Sequence, residues 1–338
     1  MAKFLIALVV LLGVIFLIAN FAEFEQVAQV LQHGDWRYLA AGLLVELLGI
    51  VAVGAGLRAI YTALGNRERL RAFIPLVVAA NFANVVAPSG GVSGMAVFIA
   101  HARQNNLSSA RATIAGALFV LYDYAGFLGF LALGLFVLFR RNNLNPPELI
   151  ASGILVFVAI VIAVLLYLGM RSAQDLGRAL AWMARGLNRL LHPFLRREYV
   201  SEQRAHDFAQ DAASGLVQLR RNPRGWVLPF AWSFVSKAML LAIFLLSFLA
   251  FDVPLSPGTL VAGFSLAYLF SIVSPTPAGI GVVEGLLALA LNSMYLPLSA
   301  AVVVTLSYRA ITFWVPFFIG MLSFRWLARS PTPSLPSP

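Results

Sequence analysis

The stretch LVAGFSLAYLFSIVSPTPAGIGVVEGLLALAL, residues 260–291, decides the fold. Its two ends are apolar, as in membrane helices, and the sequence Ser-Pro-Thr-Pro-Ala-Gly-Ile-Gly at 274–281 interrupts them. Prolines stop the incoming helix, and glycines permit a tight turn before the next helix begins. The stretch therefore predicts a broken or re-entrant helical hairpin.

A similar interruption lies in the N-terminal half, where residues 72–86 are apolar and lead into Pro88, Ser89 and a glycine-rich sequence. About 15 residues at 1.5 Å each span some 22 Å, short of the ~30 Å hydrocarbon core. Charge patterns predict that this hairpin enters from inside and the second from outside. Opposed, interrupted elements point to an inverted repeat with a site near the midplane, although no residue-level repeat is visible.

The remaining chain is equally apolar. Its 338 residues are 60% hydrophobic and only 11% charged, with a mean hydropathy of +0.86, whereas soluble domains are about 25% charged. We therefore predict an all-α, polytopic integral membrane protein with about eight hydrophobic segments, including the two hairpins. One transmembrane domain covers residues 1–329, and 330–338 form a disordered tail. Full spans are expected near 4–21, 38–64, 112–139, 149–170, 226–251 and 298–324.

The net charge of +10 resides mainly in segments between apolar runs. Because Lys and Arg collect on the cytoplasmic side, this pattern predicts a multi-pass protein of the bacterial cytoplasmic membrane with both termini inside. Glu23, Glu25 and Asp35 predict an acidic outer loop, and Arg140-Arg141 breaks the rule mildly. Residues 171–224 predict a basic, amphipathic segment on anionic lipid at the cytoplasmic surface. The membrane orientation accounts for the basic residues, so no nucleic-acid partner is expected.

Enzyme signatures are weak. The chain has no cysteine, and its four histidines lie at scattered positions without metal-ligand spacing. Neither a Ser-His-Asp arrangement nor a nucleotide-binding loop is recognisable. We expect no catalytic residues, no metal and no cofactor.

Charged residues inside the apolar segments are the most informative functional feature. Each costs about 2.5–3.5 kcal/mol at a helix centre on insertion scales, so several together indicate a polar interior. Alternative roles are snorkelling from segment ends and pairing that merely holds helices together. These residues are Glu46, Arg58, Asp123, Lys237, Glu284 and Arg309.

Glu284 follows the Pro/Gly interruption, in the first turn of the next half-helix, where it could pair with Arg309 or meet a cationic headgroup. The exposed N–H groups of that helix end favour anions such as a lipid phosphate. A structural kink at the interruption and helix–helix hydrogen bonds around Asn81 remain the simpler alternatives. The predicted substrate-binding set is Asn81, Asn84, Ser89, Ser93, Asp123, Lys237, Pro275, Gly279, Gly281, Glu284, Tyr308 and Arg309.

Residues 275–285, followed by Tyr308-Arg309, 313–316 and Gly320, resemble the membrane region of lysylphosphatidylglycerol synthases and the related flippase-like uncharacterised integral membrane proteins. The resemblance implies movement of a phospholipid across the bilayer. In bifunctional members a separate cytosolic domain makes the aminoacylated lipid, so that activity is not expected here. The family often has a Gly-Glu pair after the proline of the first interruption, whereas Gly91 is followed by Val92 and Ser93 in this chain.

The sequence therefore predicts a lipid flippase or transporter that moves a phospholipid or lipid-linked headgroup through a polar midplane cavity. Without a nucleotide site, movement would be downhill or ion-coupled. The alternatives are a membrane-embedded enzyme for lipid-linked substrates, with Asp123 or Glu284 as acid/base, and an accessory lipid-binding subunit. The sequence leaves homo-oligomer formation open.

Overall fold

A computed structural model describes residues 21–66, 69–86, 92–104, 109–142, 144, 146–195, 207–213, 216, 224–274 and 276–329. Over these ranges the chain is almost entirely helical and contains no strand. The all-α prediction is confirmed. Outside the described residues lie nearly all of the predicted first segment, the C-terminal tail at 330–338, and residues 196–206, 214–215 and 217–223 of the polar stretch.

Helices in the described part begin and end close to the predicted apolar runs. They are α1 (Phe21–Gln32), α2 (Trp36–Ala63), α3 (Leu70–Val86), α4 (Val92–Gln104), α5 (Ser109–Arg140), α6 (Pro146–Arg171), α7 (Ala173–Leu195), α8 (Arg224–Ala250), α9 (Pro257–Val273), α10 (Val282–Ser293), α11 (Leu298–Arg309) and α12 (Val315–Arg329). A 3₁₀ turn, Pro277–Gly279, precedes α10, and a π-helical turn, Ala310–Trp314, joins α11 to α12.

Five helices of the described part are long and apolar enough to cross a membrane. They correspond to α2, α5, α6, α8 and the joined α11–α12, and large apolar side chains such as Leu44, Phe157 and Val227 are exposed on their outer faces. Such outward apolar surface is expected where helices face lipid rather than water. The chain is a multi-pass membrane protein.

Two pairs of short helices flank the predicted interruptions. Helices α3 and α9 each have 17 residues, which at 1.5 Å per residue is about 25 Å, short of the hydrocarbon core. Each packs against the next short helix, α3 against α4 and α9 against α10. Short, paired helices therefore lie on both sides of each predicted break. Residues 87–91 of the first break lie outside the described residues, and the inverted repeat stays a prediction.

The predicted outer loop at Glu23 and Glu25 is wrong, because both residues lie in α1. Gln29 Nε2 donates to Glu25 Oε1 at 3.4 Å, an i,i+4 hydrogen bond that supports the helix. The loop shrinks to a short turn in which Asp35 accepts from the Arg37 amide at 2.9 Å and so caps α2.

Arg141, a basic residue that breaks the charge rule, connects the turn after α5 to the start of α9 by hydrogen bonds. Its Nη1 donates to Thr259 Oγ1 at 2.9 Å and its Nη2 donates to Ser256 Oγ at 2.9 Å. Ser256 is the N-cap of α9. Arg141 thus has a local structural role that a count of loop charges does not capture.

Helix α7 is the amphipathic helix predicted within residues 171–224. Leu176 and Ala184 are buried against the bundle, and Arg178 pairs at the exposed face with Asp175, Nη2 to Oδ1 at 2.5 Å. Trp182 is exposed on a different face from Leu176, and Met183 is also exposed. An exposed tryptophan beside arginines is typical of a helix in the membrane interface, so this location stays the prediction.

Small residues set the closest helix contacts. A Cβ atom added to Gly320 in α12 would lie 2.4 Å from the Val78 carbonyl oxygen and 2.8 Å from Phe82 Cβ, both on α3. Backbone cannot move aside as a flexible side chain can. Gly320 therefore permits α12 to approach the broken helix α3.

We predict that Gly320→Ala destabilises the protein by about 1–3 kcal/mol through overpacking. The control is Gly129→Ala on α5, where an added Cβ meets nothing within 4 Å and the helix gains from alanine. Thermal unfolding in detergent should show a lower midpoint for the first variant and an unchanged or higher one for the second. Equal midpoints would contradict the assigned close contact.

Candidate functional site

The second interruption and α11 meet at a buried ion pair. The Arg309 side chain is 7% exposed and that of Glu284 is 10% exposed. Arg309 Nε donates to Glu284 Oε1, and Arg309 Nη2 donates to the Ala278 carbonyl at 3.0 Å. The predicted pairing of Glu284 with Arg309 is confirmed.

Local backbone geometry explains why this turn needs such support. Ala278, Gly279 and Gly281 have φ values of 50°, 80° and 75°, in the left-handed region that only glycine adopts readily. Glu284 lies in the first turn of α10, where a carboxylate is favoured by the helix dipole. Arg309 thus fixes the turn through Ala278 and α10 through Glu284 at once.

The pair is incompletely satisfied. Glu284 Oε2 is buried and has no hydrogen-bond partner among the described residues. The Arg309 guanidinium lies 4.7 Å from the Phe313 ring centroid, in the π-helical turn that follows it. One carboxylate oxygen therefore remains available to a further donor, while the arginine is held on three sides.

A second buried cluster joins three helices. Lys237 of α8 donates to Asp123 Oδ1 of α5 and to the Tyr268 hydroxyl of α9 at 2.5 Å. Tyr268 in turn donates to Asp123 Oδ2 at 2.5 Å. The Lys237 side chain is 4% exposed and that of Asp123 is 22% exposed. Each charge is compensated, as burial in an apolar bundle requires.

This cluster borders a cavity of about 240 Å³ enclosed by α2, α3, α5, α8, α9 and the start of α12. Its apolar lining includes Ile50, Val77 and Phe119. Its polar lining comprises Glu46, Asn81, Asp123, Ser236, Lys237, Tyr268 and Thr312. A partly open cavity with both polar and apolar walls therefore lies between helices whose outer faces are apolar.

The structure divides the predicted substrate-binding residues between two places. Lys237, Asp123 and Asn81 line the cavity, whereas Glu284 and Arg309 form the separate pair and are not among its lining residues. The expectation that one headgroup rests against Lys237, Glu284 and Arg309 together does not follow from this geometry. Lys237 is instead committed to Asp123 and Tyr268.

The other predicted residues have mainly structural surroundings. Asn84 Oδ1 accepts from the Gly94 amide at 2.6 Å and so joins α3 to α4. Tyr308 is buried with its ring 5.1 Å from that of Phe244. Ser93 is half-buried in α4. The predicted residues Ser89 and Pro275 lie outside the described residues.

Sequence reasoning missed four polar residues of the cavity, namely Glu46, Ser236, Tyr268 and Thr312. Ser236 and Thr312 are uncharged residues in long apolar runs and gave no signal. Tyr268 lies in an apolar run. Its hydroxyl group, six residues before the Pro/Gly interruption begins at Ser274, is the one sequence feature that could have indicated a functional role. Glu46 was recognised as an intramembrane charge but was not placed in the site, because nothing in the sequence shows which face of α2 meets a cavity.

Comparison with known proteins agrees with this architecture. A family model described as the lysylphosphatidylglycerol synthase TM region matches residues 4–320. A search of curated proteins found no match. The matched range includes both interruptions, both buried ion pairs and every described lining residue of the cavity. The chain therefore belongs to the lysylphosphatidylglycerol synthase transmembrane-region family.

Proposed function

We propose that this chain is a lipid flippase or transporter that moves the headgroup of a phospholipid or lipid-linked molecule through the cavity. The observation that carries the proposal is the cavity of about 240 Å³ with charged and hydrogen-bonding walls inside an apolar bundle. A headgroup in hydrocarbon loses its hydrogen bonds to water, at a cost of several kcal/mol per polar group. Polar walls replace those bonds during passage.

The size of the cavity limits what it holds. Small-molecule pockets usually have volumes of about 300–1,000 Å³, so this cavity fits part of a headgroup and must widen during transport. Acyl chains would stay in the surrounding lipid. Membership of a lipid-related membrane family supports a lipid as the transported molecule.

The two ion pairs would have different tasks. Lys237 and Asp123 border the cavity, so a lipid phosphate could compete with Asp123 for Lys237. Arg309 and Glu284 hold the turn at Ala278 and the start of α10, next to the interrupted segment. The first pair would contact the headgroup, and the second would control the shape of the broken helix.

Filling the cavity tests transport directly. Gly49 lines the cavity, and a Cβ added there comes no closer to a neighbour than 4.0 Å, to Met239. We predict that Gly49→Leu folds normally but lowers headgroup-resolved lipid translocation in proteoliposomes at least tenfold. The lipids tested are anionic, zwitterionic and aminoacylated.

The matched control is Gly153→Leu on α6, where an added Cβ meets nothing within 4 Å and the residue is exposed. It should translocate lipid like the wild type. Equal transport by both leucine variants would exclude this cavity as the route. If the wild type translocates no lipid faster than empty liposomes do, the result would favour the hypothesis of a membrane-embedded enzyme or of an accessory lipid-binding subunit.

Removing the charges of Glu284 and Arg309 tests whether this ion pair stabilises the fold, serves transport, or does both. Removing one partner of a buried pair leaves an uncompensated charge and costs about 3–5 kcal/mol. We predict that Glu284→Gln and Arg309→Met each lower the unfolding midpoint, and that the double variant recovers much of the loss, because the two effects are coupled.

Lipid translocation by the double variant is then the decisive measurement. If the double variant folds and its translocation rate is at least tenfold below that of the wild type, the two charges are needed for transport as well as for stability. Normal transport by the folded double variant would show that this pair only stabilises the fold.

A further inference from the structure

Glu46 differs from the other carboxylates of the bundle. It lies in the middle of α2, is 6% exposed and lines the cavity. No described residue donates a hydrogen bond to it or forms an ion pair with it. Asp123, in contrast, has both carboxylate oxygens bonded. Glu46 is thus a buried acid at the cavity that has neither a hydrogen-bond donor nor an ion-pair partner among the described residues.

The groups facing Glu46 from neighbouring helices do not neutralise it. From α5 and α8 these are Asp123 and Lys237, which are bonded to each other, and from α9 it is Tyr268, which is bonded to both. Tyr308 of α11 lies within electrostatic range of Glu46 and carries no positive charge. If both acids and Lys237 are ionised, the cavity walls carry one net negative charge.

An unpaired carboxylate in an apolar bundle is costly, and the cost is removed when the group takes up a small cation. A metal ion needs several converging oxygen ligands, yet the oxygens of Asp123 are already used. A proton needs only the carboxylate itself. The geometry therefore favours a proton over a metal ion at this position.

We infer that Glu46 is a proton-binding site whose charge state sets the charge that the cavity presents to a headgroup. With the proton bound, the cavity walls are neutral overall and accept an anionic group beside Lys237. Without it, they repel the same group. A proton gradient would then bias lipid movement, a consequence that rests on the proposed function.

A small, mainly apolar recess lies beside the cavity. It has a volume of about 20 Å³, enough for roughly one water, and shares Asp123 and Ser236 with the cavity. The buried hydroxyl of Tyr122, which has no partner among the described residues, lies at this recess. The recess thus brings three hydroxyl-bearing side chains, Tyr122, Ser233 and Ser236, close to Asp123.

Infrared difference spectroscopy of the reconstituted protein tests the proton site without any transport. The wild type should show the carbonyl stretching band of a protonated carboxyl group, which is lost as the pH is raised. Glu46→Gln should lack this band. The control Glu25→Gln changes an exposed acid in α1 and should retain it. A band that is absent from the wild type, or that persists in Glu46→Gln, would overturn the inference, as would a response to sodium in place of pH.

Lipid translocation with and without an imposed pH gradient tests the consequence. The gradient should change the wild-type rate at least threefold and should have no effect on Glu46→Gln. Gradient-independent transport by the wild type would refute coupling through Glu46. If the band titrates and depends on Glu46 but no lipid moves in the wild type, the proton site stands and the proposed transport function fails.

Discussion

The cost of placing ionised side chains among apolar helices is the constraint on which this structure depends. Lys237 is held by Asp123 and Tyr268, and Arg309 by Glu284 and the Ala278 carbonyl. The first cluster joins α5, α8 and α9, and the second joins α11 to the turn before α10 and to α10 itself. A charge buried alone would be far more expensive than the ordering of its partners. Such pairs add little net stability compared with apolar packing, but they select one arrangement of the helices.

Burial in the membrane also restricts where irregular backbone can lie in the bundle. At membrane depth, N–H and C=O groups outside regular helices are tolerated only where they face protein or a polar cavity. The short helices α3 and α9 supply Asn81 and Tyr268 to the cavity, and the π-helical turn before α12 supplies Thr312. The interrupted elements of both halves therefore converge on one polar volume.

Sequence reasoning predicted the helices better than the contacts between them. Apolar runs place α2, α5, α6 and α8, and the Pro/Gly sequence locates the break before α10, because these are local properties of the chain. The partner of Glu284 could also be predicted, since Arg309 is a nearby buried charge of opposite sign. The partner of Lys237 could not be predicted, because several acids were available and only packing selects Asp123. Helix α1 was missed because its acidic residues were read as a loop signal.

The two ion pairs differ in whether a ligand or water can reach them when their hydrogen bonds break. Asp123 is 22% exposed and borders the cavity, so a ligand or water can take over a donor or acceptor when Lys237 moves. Glu284 and Arg309 are 10% and 7% exposed, and Arg309 also carries the strained turn at Ala278. Separating them would expose both an uncompensated charge and an unsupported turn. A conformational change at low cost therefore has to rearrange the Lys237 cluster while the Arg309 cluster moves as a rigid unit with its hairpin.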